Sequence, residues 1–102
     1  MLFNIQRDAG DVVEGYLIPD GFSDAPVVLV SDEDGHIAEI ACDQLHSAVV
    51  AAGRHKTGLI GFKLTEHNIP DLRKRSTLFL QDAKSGLLIY RRPLPSAQIN
   101  MK

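Results

Sequence analysis

The stretch Pro26–Cys42, PVVLVSDEDGHIAEIAC, constrains this chain more than any other, because it joins two apolar runs through an acidic turn. Val27, Val28, Leu29 and Val30 suit a pleated, buried surface. The pair Asp34-Gly35 tolerates the positive φ of a tight hairpin turn. Two loop lengths fit. A two-residue turn at Asp34-Gly35 sets Leu29 opposite Ile40, while a four-residue loop from Asp32 to Gly35 sets Leu29 opposite Ala38. These registers differ by two residues, so both place Val27, Leu29, Ala38, Ile40 and Cys42 on the inward face. Val28, Val30, Ile37 and Ala41 are left for the other face. The core is expected to hold Leu29, Ile40, Phe62 and Leu80.

Strand signals surround this hairpin. Leu2–Gln6 reads as a first strand, with a turn at Asp8-Ala9-Gly10-Asp11, and Val12–Ile18 as a second. Gly15 within the second strand points to a bulge or a close backbone approach. After the hairpin the apolar period changes from two to about 3.6. Asp43 suits a helix N-cap, and Leu45, Ala48, Val49 and Ala52 form one apolar stripe that ends at Gly53. A helix is therefore expected from about Gln44 to Ala52. Gly58–Thr65, Ser76–Gln81 and Leu87–Arg91 return to strand, the last two joined by Asp82-Ala83-Lys84-Ser85-Gly86. The expected fold is a mostly β, seven-stranded antiparallel β-sandwich of Ig-like architecture with one short helix at about 44–52. One domain over residues 1–93 precedes a polar tail or linker at 94–102.

At 102 residues, 44% hydrophobic and 24% charged, the chain is long enough for one packed core and too apolar to be disordered. No apolar run reaches the ~20 residues of a membrane span. The first residues, MLFNIQRD, lack the layout of a signal peptide. A single cysteine cannot close an internal disulfide, so a reducing, cytoplasmic setting is expected. The net charge of −2 hides a division: residues 1–50 carry −9 and residues 51–102 carry +7. In a β fold the two halves should interleave and neutralise one another locally. If they do not, they offer complementary patches to a partner.

The clusters with metal or nucleophile chemistry fall short of a site. An EF-hand loop aligned on Gly35 needs acids at positions that hold Val30 and Ala41. Cys42 and His46 are four residues apart, but His36, His55 and His67 are scattered and no third ligand has metal-site spacing. A buried structural thiol is the expected role of Cys42. An enzyme would have to assemble Cys42, Asp43, His46 and His67 into an acid–base or nucleophile cluster, and no catalytic residue, metal or cofactor is expected.

The basic clusters are the most suggestive polar feature: Arg54 and Lys56 beside His55, then Arg73, Lys74 and Arg75, then Arg91 and Arg92. If they converge, they offer a surface for phosphate, an acidic polysaccharide or an acidic protein face. Nucleic acid is disfavoured by the acidic balance, the absence of tryptophan and the few aromatics available to stack on bases. The bland alternative is solvated charge guarding strand edges. Tyr16 and Tyr90 are candidate contact aromatics, Tyr90 lying beside the last basic pair.

The order Glu14-Gly15-Tyr16-Leu17-Ile18-Pro19, strand–Asp-Gly–strand, a helix closing on Ala52-Gly53, Gly58-Leu59-Ile60-Gly61-Phe62 and Gly86-Leu87-Leu88-Ile89-Tyr90-Arg91-Arg92 resembles a family of small β modules. These modules stand at the N-terminal ends of longer alphaproteobacterial proteins linked to cell-surface polysaccharide work. The shared residues are turn glycines and alternating apolar positions. The resemblance implies an accessory module and carries over no catalytic residue. The expected function is a non-catalytic binding or interaction module, with a homodimer or another protein as partner. A structural dimerisation unit is the alternative, and a small enzyme using Cys42 and His46 is the third.

Overall fold

The alternating segments form strands as the period-two pattern requires. A computed structural model describes residues 1–93, and the expected tail at 94–102 lies outside the described residues. The strands are β1 (Leu2–Asp8), β2 (Val12–Ile18), β3 (Val27–Asp32), β4 (Gly35–Ala41), β5 (Gln44–Leu45), β6 (Leu59–Thr65), β7 (Leu78–Asp82) and β8 (Leu88–Arg92). A short helix α1 (Ser47–Ala51) follows β5, and a single 3₁₀ turn at Leu72–Lys74 precedes β7. Two four-stranded antiparallel sheets result, ordered β1-β2-β6-β5 and β4-β3-β7-β8. The β-sandwich expected from sequence is present, with eight strands rather than seven among the described residues.

The core lies between the sheets. Val13 and Leu17 of β2, Phe62 and Leu64 of β6, Val28 and Val30 of β3, and Leu78 and Leu80 of β7 are essentially inaccessible. Ile69 and Leu72 close one end from the segment between β6 and β7. Phe62 and Leu80 are thus core residues as expected. Leu29 is not: Val28 and Val30 take the inward positions, and Val27 and Leu29 are half-buried on the outer face.

The register explains the correction. The hairpin loop is Glu33-Asp34, braced by the Asp34 N–H donating to Asp32 Oδ1 at 2.8 Å, and Gly35 takes φ +124° on the far side. Leu29 pairs with Glu39, midway between the two expected partners, and a bulge at Val30/Ser31 absorbs the extra residue. An odd offset turns β3 over while leaving β4 in place. Ala38 and Ile40 therefore still pack against the core, half-buried, and Cys42 is buried at the strand's end. On the other side β3 aligns Val30 with Leu80, so both inner rows agree.

The expected helix at 44–52 is shorter and exposed. Gln44 and Leu45 pair with Gly61 and Leu59 of β6, which makes the eighth strand. His46, not Asp43, is the N-cap, with extended φ −119° and no side-chain cap. A Cβ at Gly61 would stand 2.6 Å from His46 Nε2 and 2.8 Å from Gln44 Cβ, so the missing side chain is what lets β5 close on β6. The stripe of Leu45, Ala48, Val49 and Ala52 does not become buried. Leu45 is 64% exposed, and α1 buries none of its residues.

Of the two roles its place inside β2 suggested, a bulge or a close approach, Gly15 takes the close approach. It faces Ile5 of β1, next to a β1 bulge, and a Cβ there would meet the Asn4 carbonyl at 2.5 Å and Phe62 Cζ at 2.8 Å. Because one obstacle is backbone, Gly15→Ala should push β1 outward and cost about 1–3 kcal/mol by urea denaturation. A neutral result would mean that β1 is not held at this distance.

Candidate functional site

The two sheets meet along one side through β1 and β8, each a free edge of its own sheet. Their C-terminal ends are joined by Arg92, Asp8 and Tyr90, and Met1 at the start of β1 lines a cleft with Asp82–Ser85 just before β8. The strands therefore run in the same sense. Between them lies a cleft of about 710 Å³, with Phe3, Ile5 and Ile89 as apolar floor and Asn4, Gln6 and Tyr90 as polar lining.

Arg92 closes one end of this cleft. Its Nε and Nη2 donate to the two Asp8 oxygens at 2.9 and 2.7 Å. Nη1 donates to the Leu72 and Arg75 carbonyls at 2.8 and 3.0 Å, and Nη2 also to the Gly10 carbonyl at 3.1 Å. All five guanidinium donors are thus engaged within the fold. The Tyr90 hydroxyl and the Gly10 N–H donate to the same carboxylate. Burial alone would raise the Asp8 carboxyl, but these bonds outweigh it and hold it below the ordinary carboxylate range. Burial, together with the anionic Asp8, pushes the Tyr90 phenol up to about 12.

Toward the starts of β1 and β8 several apolar side chains are exposed, of which Phe3 lines the cleft. Leu2 and Phe3 on β1 are 50% and 38% exposed, and Leu87 and Leu88 at the start of β8 are each 47% exposed. Sheet edges are normally guarded by charge, proline, a bulge or a cover. Here the charges Arg7, Asp8, Arg91 and Arg92 and the β1 bulge all lie toward the closed end. The segments Leu2–Ile5 and Leu88–Tyr90 carry no charge or proline.

The basic clusters named from sequence do not form one surface. Arg73, Lys74 and Arg75 lie at the start of β2: Arg73 approaches Asp11 at 4.0 Å, and the Arg75 carbonyl is held by Arg92. Arg75 itself pairs with Asp32 at 2.9 Å. Arg54 and Lys56 lie beyond the end of β2, where Lys56 N–H meets the Phe22 carbonyl and the His55 ring the Asp24 carbonyl. A seven-residue strand separates the two groups, roughly 20 Å. Arg91 is exposed and alternates with Arg92, pointing away from the cleft. Of the named residues, only Tyr90 and Arg92 line it.

The charge division resolves by interleaving. Asp8–Arg92, Asp32–Arg75, Asp24–Lys84 and Asp11–Arg73 each join an acid of the first half to a base of the second. What sequence reasoning missed is Asp8. Its signal is faint, one acid in a turn, because its partner is 84 residues away.

Cys42, His46 and His67 are not brought together. The His46 ring lies 5.7 Å from that of Tyr16, tilted by 59°, and His67 follows β6 at the end remote from Cys42. Among the described residues no group of three or more His, Cys, Asp or Glu side chains converges. The Cys42 thiol is pushed up to about 12, first by burial and then by the negative charges of Asp43 and Asp82. Native protein at pH 8 should leave Cys42 unmodified by iodoacetamide, whereas urea-unfolded chain should take up one equivalent. Rapid labelling of folded protein would contradict the buried placement.

Comparison with known protein families, with characterised proteins and with solved structures found no match. The functional reading therefore rests on this chain's own geometry.

Proposed function

We propose that the domain is a non-catalytic interaction module that adds an extended segment of a protein partner to its β1 edge. The observation that supports it is the coincidence of two free strand edges with a cleft of about 710 Å³ that Phe3, Ile5 and Ile89 line between them. Main-chain pairing along β1 supplies affinity in this mode, and alternate side chains entering the cleft supply selectivity. A second copy of the chain is the simplest partner, since each copy would offer the same edge about a two-fold axis. An accessory role within a longer protein concerned with cell-surface polysaccharide is the setting that the sequence resemblance implies. Arg54, Lys56, Arg73, Lys74 and Arg91 are proposed to tune the approach of an acidic partner rather than to form its seat.

Light scattering across a concentration series tests this reading. The mass should rise toward a dimer, and Phe3→Lys, which places a charge on the open half of β1, should restore the monomer without lowering the melting temperature. Association through apolar contacts and main-chain bonds should survive ~1 M salt, where the Debye length is about 3 Å. A strictly monomeric protein that also ignores an extended peptide of alternating valine and threonine would sink the proposal.

A further inference from the structure

We propose that the surface formed by β5, α1 and the start of β6 docks on an anionic phospholipid membrane, lying on it rather than crossing it. It shares no residue with the β1–β8 cleft. Leu45 and Leu59 stand opposite one another in the β5–β6 ladder and are 64% and 42% exposed. Val50 of α1, 40% exposed, joins them. Its Cγ2 and Leu45 Cδ1 both close over Gly58, 2.7 and 3.1 Å from where a Cβ would stand. Phe22, 53% exposed, is brought to the same loop by the Lys56 N–H, which donates to its carbonyl at 2.9 Å. Because α1 buries none of its residues, these side chains project from the fold instead of filling it.

Charge selects the partner. From Gln44 to Thr65 the chain carries Arg54, Lys56 and Lys63 and no acid, in a protein whose net charge is −2. His55 sets the presentation of the first two. It is 2% exposed, its Nε2 donates to the Asp24 carbonyl at 2.7 Å, and its Nδ1 accepts from the Thr57 and Gly58 N–H groups at 3.3 and 3.1 Å. A ring held at both nitrogens fixes the loop, and Arg54 and Lys56 on either side of it face solvent. Neither has an acid within ion-pair reach among the described residues. The acids flanking Phe22 are already engaged, Asp20 by the Met1 amino group and Asp24 by Lys84. Asp43 precedes β5 and Lys63 stands opposite Glu14, so Arg54 and Lys56 supply the positive balance. Aliphatic side chains with two unpaired cations at their margin match an anionic bilayer. Acyl chains take the apolar groups, and headgroup phosphates take the guanidinium and ammonium. A folded protein partner would need a pocket for each projecting side chain, whereas a lipid surface admits them without one.

The test is co-sedimentation of the full chain with vesicles of phosphatidylcholine alone or of an equal mixture of phosphatidylcholine and phosphatidylglycerol. The mixed vesicles should carry the protein down, and the neutral ones should leave it in solution. Arg54→Gln combined with Lys56→Gln should lower the partition roughly tenfold or more, the loss expected for two basic contacts at an anionic surface. Leu45→Ser, at an exposed position, should lower it about fivefold or more with an unchanged melting temperature. The chain has no tryptophan, so Leu45→Trp provides a single reporter, and its emission should move to shorter wavelength on the mixed vesicles. Loss of binding in the charge variant alone, with no emission shift and no effect of Leu45→Ser, would reduce the contact to electrostatic adsorption and overturn the docking surface. Capture by soluble polyglutamate without capture by mixed vesicles would assign the surface to an acidic protein segment and overturn the lipid assignment. Failure to sediment with the mixed vesicles, or equal sedimentation with the neutral ones, would overturn it as well.

Discussion

Replacing Arg92 by methionine should cost about 3–5 kcal/mol of stability, the usual penalty for removing one partner of a buried ion pair. Methionine preserves much of the side-chain bulk, so the loss reports the polar contacts. Arg92 is 9% exposed, and its five donors tie β1, the β1–β2 turn, the 3₁₀ turn and β8 to one another. Without it, the Asp8 carboxylate and three carbonyls lose donors while remaining partly screened from water. Adding Asp8→Leu should recover only part of the loss, because the Leu72, Arg75 and Gly10 carbonyls stay unsatisfied. Urea denaturation of the two variants checks both statements. A loss below ~1 kcal/mol for Arg92→Met would mean that the closed end of the β1–β8 cleft is held by packing alone.

The same cluster has a signature in pH. Asp8 lies below its unfolded value of about 3.9. Its contribution is therefore present above that value and is lost as pH falls toward the folded pKa. Tyr90 is shifted the other way, up to about 12, so its contribution is present below an unfolded value near 10 and lost as pH rises toward 12. Asp8→Asn should flatten the acid limb of the stability profile, and Tyr90→Phe the alkaline limb. If both variants keep wild-type slopes, the cluster is not coupled to folding.

Phe62→Ala should cost about 3–5 kcal/mol. Phe62 is 1% exposed, and its ring tip packs beneath Gly15, which has no side chain to move into the void. The informative control is the β3 pair. Val28 is inaccessible and points at the core, so Val28→Asn buries an amide without a partner and should cost several kcal/mol. Leu29 stands on the outer face, so Leu29→Asn should cost much less. The reverse order would mean that β3 is turned over and that the register given for the hairpin is wrong.

Most of the secondary structure was legible in the chain itself, because alternation and turn chemistry are local. All seven strands read from apolar period and glycine placement are present, and Gly15 was recognisable as either a bulge or a close approach before its neighbours were known. The inward face of β3 was not legible. It depends on a single-residue bulge, and the pairing of Val30 with Leu80, 50 positions along the chain, supports the inward turn. The helix was misjudged for a related reason. Its apolar stripe satisfies the helical period, but Gly61 offers β6 as a partner, and pairing Gln44 and Leu45 there satisfies backbone groups that a longer helix would have used. The basic residues show the same division. Their number and clustering are properties of the sequence, whereas the conversion of Arg92 into a fully engaged brace required Asp8 to arrive from the other end of the chain. Local rules determined where this protein forms strands and turns. Only long-range pairing decided which side of β3 faces inward, which charges are spent holding the fold, and where an edge is left open.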